Sequence, residues 1–205
     1  MSEAGAAEGR PHHVLLAVTG SVATIKLKEV IDQLHLQAKG KLPRGIEVRT
    51  VASRCALHFV KDEWRDSSFM TDADEWSSWS AKGDPVLHIE LRRWADVFVI
   101  APLSANTLAK LANGLCDNLI TCVARAWDPK RPFLVFPAMN TLMWEHPFTE
   151  RHITHLRDLG VQVIPPVSKA LACGDVGTGA LPPPEDVAAR VISCLPLQES
   201  RATPD

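Results

Sequence analysis

Short apolar runs alternate with stretches of helical spacing along most of this chain. The runs that predict buried strands cover residues 14–18, 46–51, 97–101, 133–136 and 161–164, the last of these being the final predicted strand. Apolar residues three or four positions apart predict helices over residues 21–39, 56–61, 106–113, 117–126, 149–159 and 185–194. Residues 62–94 show no clean period and receive no assignment. Strands that alternate with helices predict an α/β fold, in which a mainly parallel sheet carries helices on both faces.

The connections that follow the predicted strands are the natural places to look for a ligand. In a parallel sheet, ligands bind beyond the carboxyl ends of the strands. Five such connections are rich in Gly, Ser, Thr, Asn or Pro: residues 19–23, 52–55, 102–107, 137–140 and 165–180. We expect these five connections to lie along one edge of the sheet.

Composition narrows the class of protein. The 205 residues are enough for one sizeable domain, predicted over residues 11–195 between a disordered leader (1–10) and a disordered tail (196–205). A net charge of -2 gives no reason to expect nucleic acid or an anionic membrane as a partner. Five scattered cysteines without a CxxC pair argue for a reducing compartment and against both a disulfide framework and a structural zinc site, and we expect no bound metal. No apolar run is long enough to span a bilayer, and the start lacks a signal-peptide core, so we expect a cytoplasmic protein.

Two of the turns resemble helix starts that can hold an anion. Ser21 follows a glycine after the first strand, so it can cap the helix while free backbone N–H groups bind a phosphate. This segment alone leaves a plain cap and a phosphate site equally favoured. Ser104 or Asn106 can cap the next helix, and by itself a plain cap is favoured there. The two turns together favour an anionic, ring-bearing ligand without identifying it.

Three further features carry candidate chemistry. Residues 137–144 read Pro-Ala-Met-Asn-Thr-Leu-Met-Trp, which places an amide, two thioethers and an indole where a buried strand ends. His88 lies among apolar neighbours, where a histidine is more often a core residue than a base, although an imidazole can exchange protons near neutral pH. Cys173 lies in the glycine-rich stretch 170–180, which is either a mobile flap that brings an acid or nucleophile to a substrate, or an exposed loop with an incidental thiol.

Taken together, these segments resemble the flavin-dependent cysteine decarboxylases over residues 11–194. The resemblance rests on the segments 20–22, 84–96, 101–107, 117–118, 137–144 and 172–175. The histidine motif, the Pro-x-Met-Asn-x-x-Met-Trp motif and the cysteine occur in this order, and the combination is far more specific than any one of them.

The resemblance implies a three-layer, flavodoxin-like (Rossmann-like) sandwich that binds FMN and assembles as a homotrimer, with the flavin near a subunit contact. It implies a set of flavin-contacting residues at four strand ends: Gly20, Ser21, Val22, Ala23, Ser53, Arg54, Cys55, Ser104, Ala105, Asn106, Thr107 and Met139.

The resemblance also implies an activity and roles for individual residues. The implied reaction is FMN-dependent decarboxylation of 4'-phosphopantothenoylcysteine to 4'-phosphopantetheine and CO2 in coenzyme A biosynthesis. The cysteine side chain is oxidised to a thioaldehyde, CO2 leaves, and the resulting enethiol is reduced. His88 matches the base, Asn140 the residue that holds the substrate, and Cys173 the proton donor on the flap. The implied substrate-binding residues are Asn140, Arg93, Met143, Ala170, Ala172 and Leu181.

Other members of this wider group provide the alternatives. Some related flavoproteins bind and inhibit a protein phosphatase without catalysis, but the presence of His88, Asn140 and Cys173 in one short chain favours catalysis. Flavin prenyltransferases and peptide-cysteine decarboxylases fit residues 84–94 less well. The chain departs from the family in a longer connection at residues 39–45 and in Leu-Pro-Pro-Pro at residues 181–184, where prolines stiffen the exit from the flap.

Overall fold

The computed structural model describes residues 10–170 and 176–195. Within them, six strands form one sheet in the order β3-β2-β1-β4-β5-β6, and every neighbouring pair is parallel. The strands are β1 (His12–Val18), β2 (Ile46–Ala52), β3 (Phe69–Thr71), β4 (Val97–Leu103), β5 (Phe133–Pro137) and β6 (Gln162–Val163). The predicted flavodoxin-like sandwich with a mainly parallel sheet is confirmed.

The register of the sheet brings the strand ends level. His12 of β1 pairs with Ile46 of β2, and the pairing continues to Val18 opposite Ala52. On the other side of β1, β4 is paired in parallel, and Leu103 of β4 lies opposite Pro137 of β5. The loops after these four strands therefore leave the sheet at one edge, as the sequence predicted.

Helices cover both faces of the sheet. They are α1 (Leu27–Lys39), α2 (Asp72–Ser77), α3 (Leu87–Trp94), α4 (Ala105–Ala112), α5 (Leu119–Arg125), α6 (Thr141–Trp144), α7 (Pro147–Asp158) and α8 (Pro184–Ser193), and short 3-10 helices span Val22–Lys26, Ala56–His58 and Asp62–Trp64. No helix in these described stretches combines the length and apolarity needed to cross a membrane.

Alternate residues of the central strands divide the core into two layers. Val14 and Leu16 of β1 pack with α1 and α8, whereas Leu15 and Ala17 pack with α3, α4, α5 and α7. All four side chains are fully buried, because successive residues of a strand point to opposite faces and both faces are covered. Each such leucine or valine stabilises the fold by roughly 1.5–3 kcal/mol. The end of β1, from which the site described below begins, therefore has a well-fixed position.

The unassigned stretch 62–94 contains four elements that the sequence pattern did not reveal. It forms the 3-10 helix Asp62–Trp64, the edge strand β3 and the helices α2 and α3. Helix α2 has no buried residue, and Leu91 is the only buried residue of α3. Elements this short, with so little apolar surface turned to the core, leave no periodic signal.

The predicted strand at residues 161–164 is present as β6, but the prediction that it is the last strand is wrong. Two further strands, β7 (Val167–Ala170) and β8 (Val176–Ala180), pair antiparallel as a separate hairpin in the stretch interpreted as a flap. Gly177 and Gly179 of β8 approach Thr141 and Met139 so closely that a side chain would collide with them. Glycine at these two positions therefore permits the close approach of the two backbone segments.

Candidate functional site

A cavity of about 400 Å³ lies at the carboxyl edge of the sheet. It lies beside the end of β1, which has β2 on one side and β4 on the other. The strand order reverses direction at this point, and open α/β sheets bind ligands at such a point. Four of the five predicted connections contribute to its lining. The predicted site residues that line it are Gly20, Ser21, Val22, Ala23, Ser104, Ala105, Met139, Asn140, Met143 and Leu181.

Thr19 joins the ends of the two central strands. Its buried hydroxyl donates to the carbonyl of Pro102 at 2.8 Å and accepts from the backbone N–H of Ser104 at 2.7 Å. Such a fully buried hydroxyl is stabilising only when it is hydrogen-bonded, and both contacts reach the neighbouring loop. The turn after β1 and the turn after β4 are therefore held in a fixed relation.

Both predicted serine caps are present. Ser21 precedes the first 3-10 helix; its hydroxyl accepts from Ala23 N–H at 3.4 Å and donates to the carbonyl of Ala138 at 3.0 Å. Ser104 caps α4 by accepting from Thr107 N–H at 3.3 Å. The Ser21 hydroxyl thus connects the β1 turn with the segment after β5, so three loops form one continuous wall.

The turn after β2 packs tightly against the turn after β1. A Cβ atom on Gly20 would lie 2.7 Å from Cys55 Cβ, a distance that only glycine permits. This contact places Ser53, Arg54 and Cys55 at the same edge, although none of them lines the cavity. The Ser53 hydroxyl is buried and has no hydrogen-bond partner among the described residues, which is costly unless a ligand satisfies it.

The hairpin forms the opposite wall of the cavity. Met139 N–H donates to the carbonyl of Gly179 at 2.9 Å, and Gly179 has a φ of +153° with its Cα facing the Met139 carbonyl. Asn140 caps α6, its Oδ1 accepting from Leu142 N–H at 2.9 Å. The cap fixes the amide of Asn140 in the cavity wall.

The proline run at residues 181–184 lies between β8 and α8. Leu181 is buried and lines the cavity. Pro183 is the residue before α8 and Pro184 is its first residue, a position where the fixed φ of proline suits a helix start. The predicted stiffening therefore falls on a helix start.

His88 occupies a different place. It lies in the first turn of α3, and its Nδ1 is 2.5 Å from Oε1 of Glu75 on α2. The far end of α3 lies at the amino edge of the sheet, where Asp96 N–H donates to the carbonyl of His13, so the first turn points towards the carboxyl edge. Even so, His88 is not among the residues that line the cavity of its own chain.

The remaining predicted residues fall into two groups. Asn106 and Thr107 lie in the first turn of α4, and Arg93 is exposed and paired with Glu90 at 2.9 Å; none of the three lines the cavity. Ala172 and Cys173 lie outside the described residues, and of Ala170 only the backbone, at the end of β7, is described.

Sequence reasoning missed three residues that bear on the site. Lys26 and Lys169 line the cavity and bring two cationic side chains to it. Lys26 stands three residues after the first connection, residues 19–23, and Lys169 lies in a strand that was not predicted. Glu75, the partner of His88, lies in the unassigned stretch, and no pattern marked it.

Comparison with known proteins gives a consistent result. A profile of the family described as Flavoprotein matches residues 3–195. The chain is 55% identical over 177 residues to a protein of Arabidopsis thaliana named probable phosphopantothenoylcysteine decarboxylase, covering 85% of this chain and 84% of that one. A solved cysteine-to-serine mutant of PPC decarboxylase, complexed with pantothenoylaminoethenethiol, superposes with a TM-score of 0.81 at 53% identity, covering 89% and 97% of the two chains. The FMN binding protein AtHal3 superposes with a TM-score of 0.78 at 53% identity, covering 89% and 95%.

Proposed function

This chain belongs to the Flavoprotein family, and from that premise we propose that it is the enzyme that converts 4'-phosphopantothenoylcysteine to 4'-phosphopantetheine and CO2 in coenzyme A biosynthesis. The observation that carries the proposal is that the segment of Met139 and Asn140 and the turns of Ser21 and Ser104 line one cavity. The similarity to phosphopantothenoylcysteine decarboxylases over more than four-fifths of the chain supports the same activity.

FMN is the cofactor of this enzyme, and the residues at the carboxyl edge fit it. A cavity of about 400 Å³ is within the range of small-molecule sites. Ala105 and Met139 would hold the ring and the turn of Ser21 the phosphate. The Ser53 hydroxyl lies outside the cavity lining, but it is buried without a partner among the described residues, so we propose it as a further phosphate contact. When bound, FMN supplies an acceptor and later a donor of two electrons.

His88 acts as the base in the first step. It takes the proton of the substrate thiol while the thiol-bearing carbon is oxidised to a thioaldehyde. The C=S group is then an electron sink β to the carboxylate, so CO2 leaves and an enethiolate remains. Without that sink, the electrons of the broken C–C bond would have no place to go.

Asn140 orients the substrate. Its side chain is fixed by the cap on α6, so a bound substrate meets an amide of defined direction, and a fixed orientation lowers the entropic part of the barrier. Met143, one turn further along the same segment, contributes apolar surface to the wall.

Cys173 donates a proton when the enethiol is reduced to the thiol product. It lies outside the described residues, so this role rests on the matching motif. The complex of a relative's cysteine-to-serine mutant with an aminoethenethiol supports the role, since loss of the proton donor leaves the enethiol unreduced. We therefore expect Cys173→Ser to release CO2 and accumulate the enethiol.

We further propose that the enzyme is a homotrimer. In a single chain His88 does not line the cavity that contains Asn140, and a neighbouring copy that brings its own His88 to this cavity would let both groups act on one substrate. Exposed apolar side chains beside the cavity fit a subunit contact: Leu142 is 76% exposed, and Met143 and Phe148 are also exposed. Light scattering is expected to give about three times the 22.5 kDa chain mass. The domain over residues 11–195 and a cytoplasmic location belong to the same proposal.

The decisive experiment combines a spectrum with an assay. The purified protein is expected to be yellow, to release FMN on denaturation, and to produce CO2 and 4'-phosphopantetheine from 4'-phosphopantothenoylcysteine. Flavin content without CO2 release would contradict the proposal and favour a regulator; inhibition of a protein phosphatase would then be measured. A colourless protein that FMN cannot reconstitute would contradict the cofactor assignment as well.

A further inference from the structure

We propose that Glu75 is the positioning residue for His88: its carboxylate selects the tautomer of the imidazole and thereby the nitrogen that acts as the base. The proposal rests on the proposed function in one respect, which is the role of His88 as the base. Glu75 itself is not expected to contact substrate or cofactor, because it acts through the imidazole.

The contact between the two side chains determines which nitrogen carries the proton. Oε1 of Glu75 is 2.5 Å from Nδ1 of His88, and an ionised carboxylate can only accept a hydrogen bond. Nδ1 must therefore be the donor. In the neutral ring this leaves Nε2 as the nitrogen with the free lone pair, the arrangement in which an acidic partner orients a histidine base.

Burial makes this contact persistent. The side chains of Glu75 and His88 are 13% and 26% exposed, so water competes less for either group than at an open surface. A hydrogen bond with an ionised partner is also stronger than a neutral one. The imidazole is consequently held in one orientation before the substrate binds.

Helix α2 is itself held in place, which gives the carboxylate a fixed position. At its start, Oδ2 of Asp74 accepts from the N–H and from the hydroxyl of Thr71, both at 2.7 Å. Asp72 Oδ1 accepts from Leu119 N–H at 2.9 Å and so joins α2 to the beginning of α5. Glu75 therefore reaches His88 from a helix that is tied to both β3 and α5.

A metal centre is the main structural alternative, and the distance favours a direct hydrogen bond instead. Ligand atoms of Glu75, His88 and Cys122 all lie within 4.8 Å of one another. Two ligands at about 2.0–2.1 Å from a tetrahedral zinc ion are separated by about 3.3 Å. The 2.5 Å separation of Glu75 and His88 is that of a direct hydrogen bond.

The thiol of Cys122 fits the same picture. Burial raises its pKa to about 11, and the carboxylate of Glu75 adds to this effect, as do Cys116, Asp117 and Asp72. The thiol is therefore protonated at neutral pH and presents no charge to the imidazole. Among the described residues, the carboxylate that contacts the ring is that of Glu75.

The first test reads the tautomer directly. In the purified holoenzyme labelled with 15N-histidine, the signals of His88 are assigned by their loss in His88→Asn, at a pH where the ring is neutral. We expect Nδ1 to carry the proton in the wild type and in Glu75→Gln, whose amide oxygen can still accept. In Glu75→Ala the proton is expected to move to Nε2, the form that free imidazole side chains favour.

The second test reads turnover. For Glu75→Ala we expect kcat to fall about 100-fold with KM within about threefold, because general bases contribute about 10²- to 10⁴-fold and only the orientation of the base is changed. Glu75→Gln is expected to recover part of kcat. Glu63→Ala removes an exposed carboxylate of the preceding 3-10 helix, and Cys122→Ser removes the thiol; both are expected to keep wild-type kcat.

The outcomes separate the two proposals. A wild-type ring protonated on Nε2, or a Glu75→Ala enzyme with unchanged kcat, overturns the assignment of Glu75. A loss of turnover on chelation, restored by zinc and absent in Cys122→Ser, overturns it in favour of a metal centre. A wild type with Nδ1 protonated that releases no CO2 overturns the proposed function, while the contact between Glu75 and His88 stands.

Discussion

The cavity and the surroundings of His88 are built by different means. The cavity wall consists of turns that directly follow β1, β4 and β5, and most of its hydrogen bonds involve backbone groups, such as Met139 N–H with the Gly179 carbonyl. His88 is instead held by one side chain thirteen residues away, on a separate helix. A cofactor site can thus be specified by the backbone of one chain, whereas the base depends on a contact between side chains and, as proposed, on a neighbouring copy.

The most severe effect is expected from His88→Asn. Loss of the base should reduce CO2 release by at least about 10²- to 10⁴-fold. Flavin content should remain at the wild-type level, because His88 does not line the cavity of its own chain. Both are measured on one preparation, by CO2 release and by the flavin spectrum. Loss of the flavin together with activity would show that the cavity and the surroundings of His88 do not act independently.

Gly20→Ala should disturb the cavity instead of the surroundings of His88. The new Cβ would lie 2.7 Å from Cys55 Cβ, so one of the two turns must move. Overpacking of this kind costs about 1–3 kcal/mol, which corresponds to roughly a 5- to 150-fold loss of FMN affinity if it falls on the bound state. Fluorescence titration of the apoprotein with FMN measures this loss of affinity.

Gly40→Ala is the matched control for this substitution. A methyl group on Gly40 would have no atom within 4 Å, and the φ of this residue is -94°, so alanine there should leave FMN affinity unchanged. Equal affinities of the two alanine variants would show that the close approach of Gly20 to Cys55 is not needed for the cofactor.

The difference between the backbone-built cavity and the side-chain contact of His88 also explains which parts of the site the sequence could predict. The continuous apolar runs of β1 and β4 marked buried strands, and polar turns such as the one at Ser21 marked the site, because the edge of a parallel sheet follows from strand order alone. Glu75 could not be found, since a contact between short helices with one buried residue leaves no periodic trace. The hairpin β7–β8 was missed because its glycines indicate a loop until their close contacts with Met139 and Thr141 are known.

Ser53→Ala should separate stability from binding. The buried hydroxyl has no partner among the described residues, so its removal should leave the free energy of unfolding of the apoprotein unchanged or raise it by up to about 1 kcal/mol. If the hydroxyl binds the FMN phosphate, FMN affinity should fall roughly 10- to 150-fold, since a hydrogen bond to a charged group contributes about 1.5–3 kcal/mol.

Ser21→Ala provides the contrast to Ser53→Ala. The Ser21 hydroxyl already donates to the Ala138 carbonyl, so its loss should lower the stability of the apoprotein by about 1 kcal/mol. Urea denaturation measures the free energy of unfolding of each apoprotein, and titration with FMN measures the FMN affinity of each variant. Unchanged FMN affinity in Ser53→Ala would remove this turn from the phosphate site.

The smallest effect on activity is expected at the opposite edge of the sheet, at Asp96. Burial raises the pKa of this carboxyl, but the hydrogen bonds from Arg10 and from His13 N–H outweigh it, so the pKa lies below its usual range. A lowered pKa means that the carboxylate stabilises the fold above the pKa of the unfolded chain, about 3.9, and that this contribution is lost as the pH falls through the lowered value.

Asp96→Asn should therefore lower the free energy of unfolding at pH 7 by about 1–2 kcal/mol and leave kcat unchanged. The difference from wild type in urea denaturation should shrink as the pH falls through the lowered pKa of Asp96, below which the wild-type carboxyl is protonated as well. A difference that stayed constant over this range would mean that packing rather than charge makes Asp96 stabilising. A fall in kcat would mean that the amino edge of the sheet influences the site at the carboxyl edge. The two edges could then not be treated as independent.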